Sequence, residues 1–188
     1  MTLDQTLTTG IELRVATLAD AAAFAEAQVR NREHLAPWEP VRSERWFTTA
    51  GQEDRLKAQL VRFQNREVVP WFLFEGDRVV GAITLTDIVP GPFRSASLGY
   101  WIDKDLLGKG LATTAVQAVA ELADRELRLH RIEASTLVSN EASQRVLRKC
   151  GFNQIGTAPD YLHIAGVWQT CHLYQRILNT RDPGEPAP

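Results

Sequence analysis

The stretch DLLGKGLATTAVQAVAEL, residues 105–122, decides how this chain is read. Two glycines flank a lysine, and the run behind them has the pattern of an amphipathic helix. A Gly-rich turn that opens a helix can hold a phosphate. The first helical turn offers unpaired N–H donors, and the helix dipole favours negative charge there. Gly108 and Gly110 let the backbone approach with no Cβ in the way, and Lys109 adds a cation. A Walker A loop is excluded, because Asp103 and Gly110 stand where it needs a glycine and a Ser or Thr. A Rossmann fingerprint fits poorly: Thr113 takes the third glycine position, DKDLL separates the turn from the strand, and the repeating βαβ pattern is missing. A pyrophosphate loop of backbone amides remains, alongside an ordinary Gly-containing strand-to-helix connection. The residues of the turn alone leave both open.

Outward from this turn, the chain reads as an α/β domain with a mainly antiparallel first half and one crossover helix in the middle. Residues 11–17 alternate as a half-buried strand does, and Asp20 is placed to cap an Ala-rich helix running toward Arg30. Residues 35–47, with two prolines, read as a loop, and 53–65 as a helix with Leu56, Leu60 and Phe63 on one face. Residues 70–88 are two strands joined at EGD, and 95–103 a further strand with Gly99 inside it. A strand over 131–138 and a short helix closed by Gly151 follow, then strands over 153–160 and 167–178. Residues 1–180 form one expected domain, and RDPGEPAP, 181–188, a loose tail.

Composition narrows the function. With 44% hydrophobic and 23% charged residues and a net charge of −2, the chain can build a core and has no global field for nucleic acid. Cys150 and Cys171 have no metal or redox spacing and read as buried free thiols. The four histidines, at 34, 130, 163 and 172, lack ligand spacing, so no metal site is expected. No signal peptide or membrane-spanning run is read, which points to the cytoplasm.

Six pieces carry a family resemblance: HLAPWEPVR, LGYWID, GKGLATTA, HRIEA, SNEASQRVLRKCGF and DYLHIAGVW, together extending from His34 to Trp168. The chain resembles the GNAT acyltransferases, in particular the RimJ/RimL branch that acetylates N-terminal amines of ribosomal proteins, with LAPWEPVR nearest the RimJ side. The resemblance implies a GNAT fold: a mixed, mostly antiparallel sheet splayed at the cofactor site, with flanking helices. It also implies acetyl-CoA as cofactor and a protein N-terminus, or alternatively a small-molecule amine, as acceptor. A non-catalytic CoA-binding sensor is a third reading. Monomer and homodimer are equally compatible.

The resemblance assigns cofactor contacts to Tyr100, Trp101, Ile102, Leu107, Gly108, Lys109, Gly110, Leu111, Ala112, Asn140 and Ser143. Gly99 is expected to mark a bulge or a close backbone approach, freeing an N–H around Tyr100–Trp101 to polarise the thioester carbonyl. No enzyme nucleophile is needed. An α-amine titrates near ~8, about two units below lysine, so a modest carboxylate suffices as base. Asp160 is the first candidate and Glu39 the second, with Ser143 as proton donor to the leaving thiolate. Solvated loop charges are the plain alternative for both acids. Asn140 and Ser143 also fit a helix N-cap and first turn. Lys109, Arg148 and Lys149 are the cations expected near phosphates, and Trp38 and Tyr161 the expected aromatic walls. Thr170 and Cys171 stand where the family usually has an acidic residue and a histidine, so no role is carried onto them.

Overall fold

The most apolar part of the chain lies at the middle of its sheet. In the computed structural model, which describes residues 3–8 and 10–182, Val69–Glu75 (β3) is buried at every position except Glu75. It turns at Gly76-Asp77 into Arg78–Val89 (β4), the hairpin expected at EGD. The remaining strands are Gln5–Thr8 (β1), Ile11–Val15 (β2), Ser95–Ile102 (β5), Arg131–Leu137 (β6), Asn153–Ile164 (β7) and Val167–Ile177 (β8). They form one sheet in the order β1-β2-β3-β4-β5-β6-β8-β7. Every neighbouring pair is antiparallel except β5–β6, which is parallel and bridged by the helix Leu111–Arg125 (α4). Parallel neighbours need such a crossover.

Helices cover both faces. Ala21–Arg30 (α1) and Thr49–Gln64 (α3) close one side, where Phe24 stacks on Phe72 at 4.4 Å and Leu56 is fully buried. Helix α4 and Glu141–Lys149 (α5) close the other with Ala115, Val116, Val119 and Leu147, all 0–1% exposed. A four-residue helix, Arg32–Leu35 (α2), continues from α1. No described helix is long and apolar enough to cross a membrane.

Several local expectations need correction. Asp20 does not cap α1: its carboxylate accepts from Thr17 N at 2.7 Å and Thr17 Oγ1 at 2.9 Å, closing the preceding 3-10 turn. On α3 Leu56 is buried while Leu60 and Phe63 are only partly so, and Gln52 takes an inward position. The strand expected over 153–160 runs on to Ile164, with a bulge between Ala158 and Leu162 in the β7–β8 ladder. Strand β1 and helix α2 had no sequence signal, since QTLT and REHL are too short for a period to register. Residues 183–188 of the expected tail lie outside the described residues.

Gly99 is not a bulge. It pairs in register with Thr84, and the β4–β5 irregularity falls between Thr86 and Val89, around Asp87 at φ +52°. Its missing side chain has a different effect, because a Cβ there would meet nothing within 4 Å. The splay itself is present. Pairing between β5 and β6 is confined to Ser95–Ser97 against Arg131–Glu133, and beyond it the strands part. Arg94 O accepts from His130 N at 2.7 Å on the β6 side, and Asp103 N donates to Val80 O at 2.8 Å on the β4 side. Strand alternation therefore turns the backbone groups of Leu98, Tyr100 and Ile102 into the gap.

Candidate active site

Two cavities meet at this gap. One, of about 500 Å³, runs along Leu107–Thr113 to Arg145 and Lys149; the other, of about 460 Å³, reaches past Gly99 to Glu39, Trp46 and Arg55. Trp38, Tyr100, Trp101, Asn140 and Ser143 line both, so the two form one groove with a junction at Tyr100.

The first cavity is built by the Gly-rich turn. Gly108 and Gly110 lie at φ +74° and +81°, in the left-handed region that favours glycine. Gly110 caps α4 without a side-chain bond, and the first backbone bond into the helix is Thr114 N to Gly110 O at 3.1 Å. The N–H groups of Leu111, Ala112 and Thr113 are thus the unpaired donors at a helix N-terminus. Lys149 stands at this cavity as expected. Arg145 joins it, whereas Lys109 and Arg148 are exposed and outside its lining. The sequence held a signal for Arg145: it lies one helical turn before Lys149, at i,i+4.

Asp103 anchors the turn. Its side chain is 0% exposed, accepts from Arg30 Nε at 2.7 Å, Asn31 Nδ2 at 3.2 Å, Arg78 Nη2 at 3.2 Å and Asp105 N at 3.1 Å, and begins the 3-10 turn leading to Gly108. Asn31 Oδ1 in turn accepts from Lys104 N at 2.9 Å. Burial would raise this carboxyl, but the bonds from Asp105 N, Arg30 and Asn31 and the Arg30 charge outweigh it and hold it below the usual range. A depressed carboxyl contributes fully above its unfolded pKa of ~3.9, and that contribution is lost as pH falls through the folded value. Asp103→Asn should therefore cost about 3 kcal/mol in urea unfolding at pH 7. The gap to wild type should close below pH ~4. A difference that persists at low pH would contradict this account.

At the junction the Tyr100 hydroxyl lies 2.8 Å from Ser143 Oγ. Burial pushes that phenol up to about 12, opposed by the Ser143 bond, so it is a neutral O–H at physiological pH. Asn140 Oδ1 accepts from Ser143 N at 3.0 Å, the cap expected of it, while its residue still lines the groove. One capped turn thus fixes Ser143 against Tyr100.

On the acceptor side, Glu39 and Trp38 line the groove; Asp160 and Tyr161 do not. Asp160 is exposed, at φ +47° in the β7 bulge. Arg42 Nε donates to Glu39 Oε2 at 3.2 Å, and its guanidinium lies 3.7 Å from the Trp46 ring centre. Arg42 thus lies against the groove wall, whereas Arg45 is bonded to Asp54 on the surface. Gln28, Trp46 and Arg55 were missed. Nothing in a helical period marks a glutamine or arginine whose neighbours, not its own character, enclose it. Cys150 and Cys171 are free and buried, as read.

A groove with a backbone-amide turn at one end, two cations beside it and an unpaired strand edge at its centre fits a pantetheine diphosphate. Leu107–Ala112, Arg145 and Lys149 would hold the diphosphate, and the Leu98–Ile102 edge the pantetheine arm. The acetyltransferase (GNAT) domain model matches residues 11–153, and the chain belongs to this family. It is an N-acetyltransferase with acetyl-CoA as its cofactor.

Among similar proteins, a probable N-acetyltransferase of Bacillus subtilis (strain 168), YjcK, is 35% identical over 174 residues, covering 92% of this chain and 96% of the relative. The [ribosomal protein uS5]-alanine N-acetyltransferase of Escherichia coli (strain K12) is 35% identical over 153 residues, 80% of this chain and 78% of the relative. The structure of Mycobacterium smegmatis RimJ in complex with CoA-disulfide superposes with a TM-score of 0.85 at 27% identity, covering 89% of this chain and 81% of that one.

Proposed function

We propose that the chain acetylates the α-amine of a protein N-terminus, that of a ribosomal protein, in the cytoplasm. The observation that carries this reading is the single groove that opens a cofactor end and an acceptor end onto Tyr100 and Ser143. The 35% identity to a relative named for a ribosomal-protein alanine supports the acceptor class.

Bound acetyl-CoA supplies an activated acetyl group and a thiolate leaving group of pKa ~8.5. The other roles fall to this chain. Glu39 takes the proton from the attacking amine; Arg42 occupies its Oε2 and leaves Oε1 to accept. The Tyr100 N–H in the β5 edge donates toward the carbonyl oxygen, where charge develops. Ser143 Oγ delivers a proton to the leaving sulfur and is resupplied by the Tyr100 hydroxyl 2.8 Å away. Trp38, shared by both cavities, shields the junction from water.

The test is thiol release from acetyl-CoA with Ala- and Ser-starting peptides, with free small amines and with no acceptor. Turnover with the peptides, with the acetyl group mapped to the α-amine, is expected. Activity on small amines alone would replace the protein acceptor, and CoA binding without any turnover would favour a sensor.

A further inference from the structure

Among the described residues, the far end of the acceptor cavity holds donors with nothing to donate to. Gln28 is 2% exposed; its Oε1 accepts from Trp46 Nε1 at 2.8 Å, while its Nε2 has no partner among the described residues. Arg55 is fixed by Gln52 Oε1 at 2.6 Å and Gln59 Oε1 at 2.8 Å, and its enclosed Nη2 is equally unpartnered. Both residues line the 460 Å³ cavity. An enclosed donor left without an acceptor destabilises the fold, and more so when it is charged. Two such donors in one wall point to an oxygen brought by a ligand.

Charge decides which kind of oxygen. Arg42 and Arg55 share one carboxylate, Glu39, which is bonded to Arg42. The acids on α3 itself, Glu53 and Asp54, face Lys57 and Arg45 on the surface. One cation is therefore left over inside. Burial, and then the like charge of Arg42, pushes Arg55 down to about 10, partly offset by Glu39, so it stays charged at neutral pH. Its guanidinium lies 4.5 Å from the Phe24 ring centre and 5.5 Å from that of Trp46, a rigid mount for a cation. A neutral carbonyl would satisfy the donors but leave that charge unmatched.

We propose that this end of the cavity is a subsite for a carboxylate carried by the amine substrate, received by Arg55 Nη2 and Gln28 Nε2 while the amine stands at Glu39. The proposal rests on the reading that the acceptor enters by this cavity. An acidic side chain near a peptide's N-terminus and the α-carboxylate of a free amino acid would both supply the group.

Equilibrium titration tests it without needing turnover. Coenzyme A-loaded protein is titrated, by tryptophan fluorescence, with peptide amides beginning N-acetyl-Ala-Glu or N-acetyl-Ala-Gln, and with N-acetylalanine or its amide. In one of the two pairs the acid should bind at least about tenfold more tightly, and that pair identifies the source. In Arg55→Met the preference should fall to about onefold, with a melting temperature no lower than wild type, because an unmatched enclosed charge has been removed. Should that variant not fold, Gln28→Met must still shrink the preference. Equal binding of acid and amide in both pairs, or a preference untouched by these variants, overturns the subsite. Acetylation of peptides without any acid preference would do the same while the acceptor assignment stood. Tight acid binding without acetylation of either acceptor type would support the subsite and remove that assignment.

Discussion

Gly110→Val is expected to weaken coenzyme A binding at least about 100-fold, a loss of about 2.7 kcal/mol. Two effects combine. At φ +81° a β-branched residue is strained by about 1–3 kcal/mol, and the turn relaxes by rotating its amides away from the helix axis. The new side chain also projects into the space where a diphosphate would meet the N–H groups of Leu111 and Ala112, since a Cβ at Gly110 now meets nothing within 4 Å. Gly76→Val separates the two. Gly76 lies at φ +58° with equally open surroundings, but in the β3–β4 turn away from the groove. It should lose stability and retain affinity. Isothermal titration of both variants reads the difference; wild-type affinity in Gly110→Val would remove the turn from the binding site.

The second large effect is expected at Glu39. At pH ~6.5 an α-amine of pKa ~8 is almost wholly protonated, and the reaction depends on a group that takes the proton as attack proceeds. Glu39→Gln keeps the shape and the acceptor oxygen for Arg42 but cannot take a proton. Its kcat/KM for an Ala-starting peptide should fall about 100-fold at pH ~6.5, and less than about tenfold above pH ~9, where the amine is already neutral. Asp160→Asn, on the exposed bulge, should follow the wild-type profile throughout. The opposite pattern, a flat Glu39→Gln and a pH-dependent Asp160→Asn, would return the role of base to Asp160.

The parts of this molecule legible in its sequence share one property: a repeat or a backbone requirement visible in a few adjacent residues. Gly108 and Gly110 announced the turn because left-handed backbone needs glycine. Asn140 announced its helix because a cap needs a short polar side chain. The strand runs on either side of EGD, and the further run over 95–103, marked the central strands. What stayed hidden depends on distance along the chain. Asp103 is bound by residues 25 and 73 positions away, and Gln28 bonds Trp46 from 18 away. Arg55 looks like any surface arginine until α3 packs it against Phe24. As text Asp160 ranked ahead of Glu39; the groove wall holds Glu39 instead, and a bulge that no local pattern encodes leaves Asp160 outside it.

The two ends of the groove are written in different chapters of the chain. On the proposed reading, Phe24, Gln28, Glu39, Arg42, Trp46 and Arg55 line only the acceptor end, while Leu107, Gly108, residues 110–113, Arg145 and Lys149 line only the nucleotide end. Substitutions at the former positions would retune the proposed acceptor end, whereas changes at Trp38, which lines both ends, or at Arg30 and Asn31, which hold Asp103, would reach the coenzyme A end as well. Such a layout leaves the acyl-donor clamp in place while a few acceptor-facing positions between Phe24 and Arg55 change, which makes them the natural region for retargeting by design.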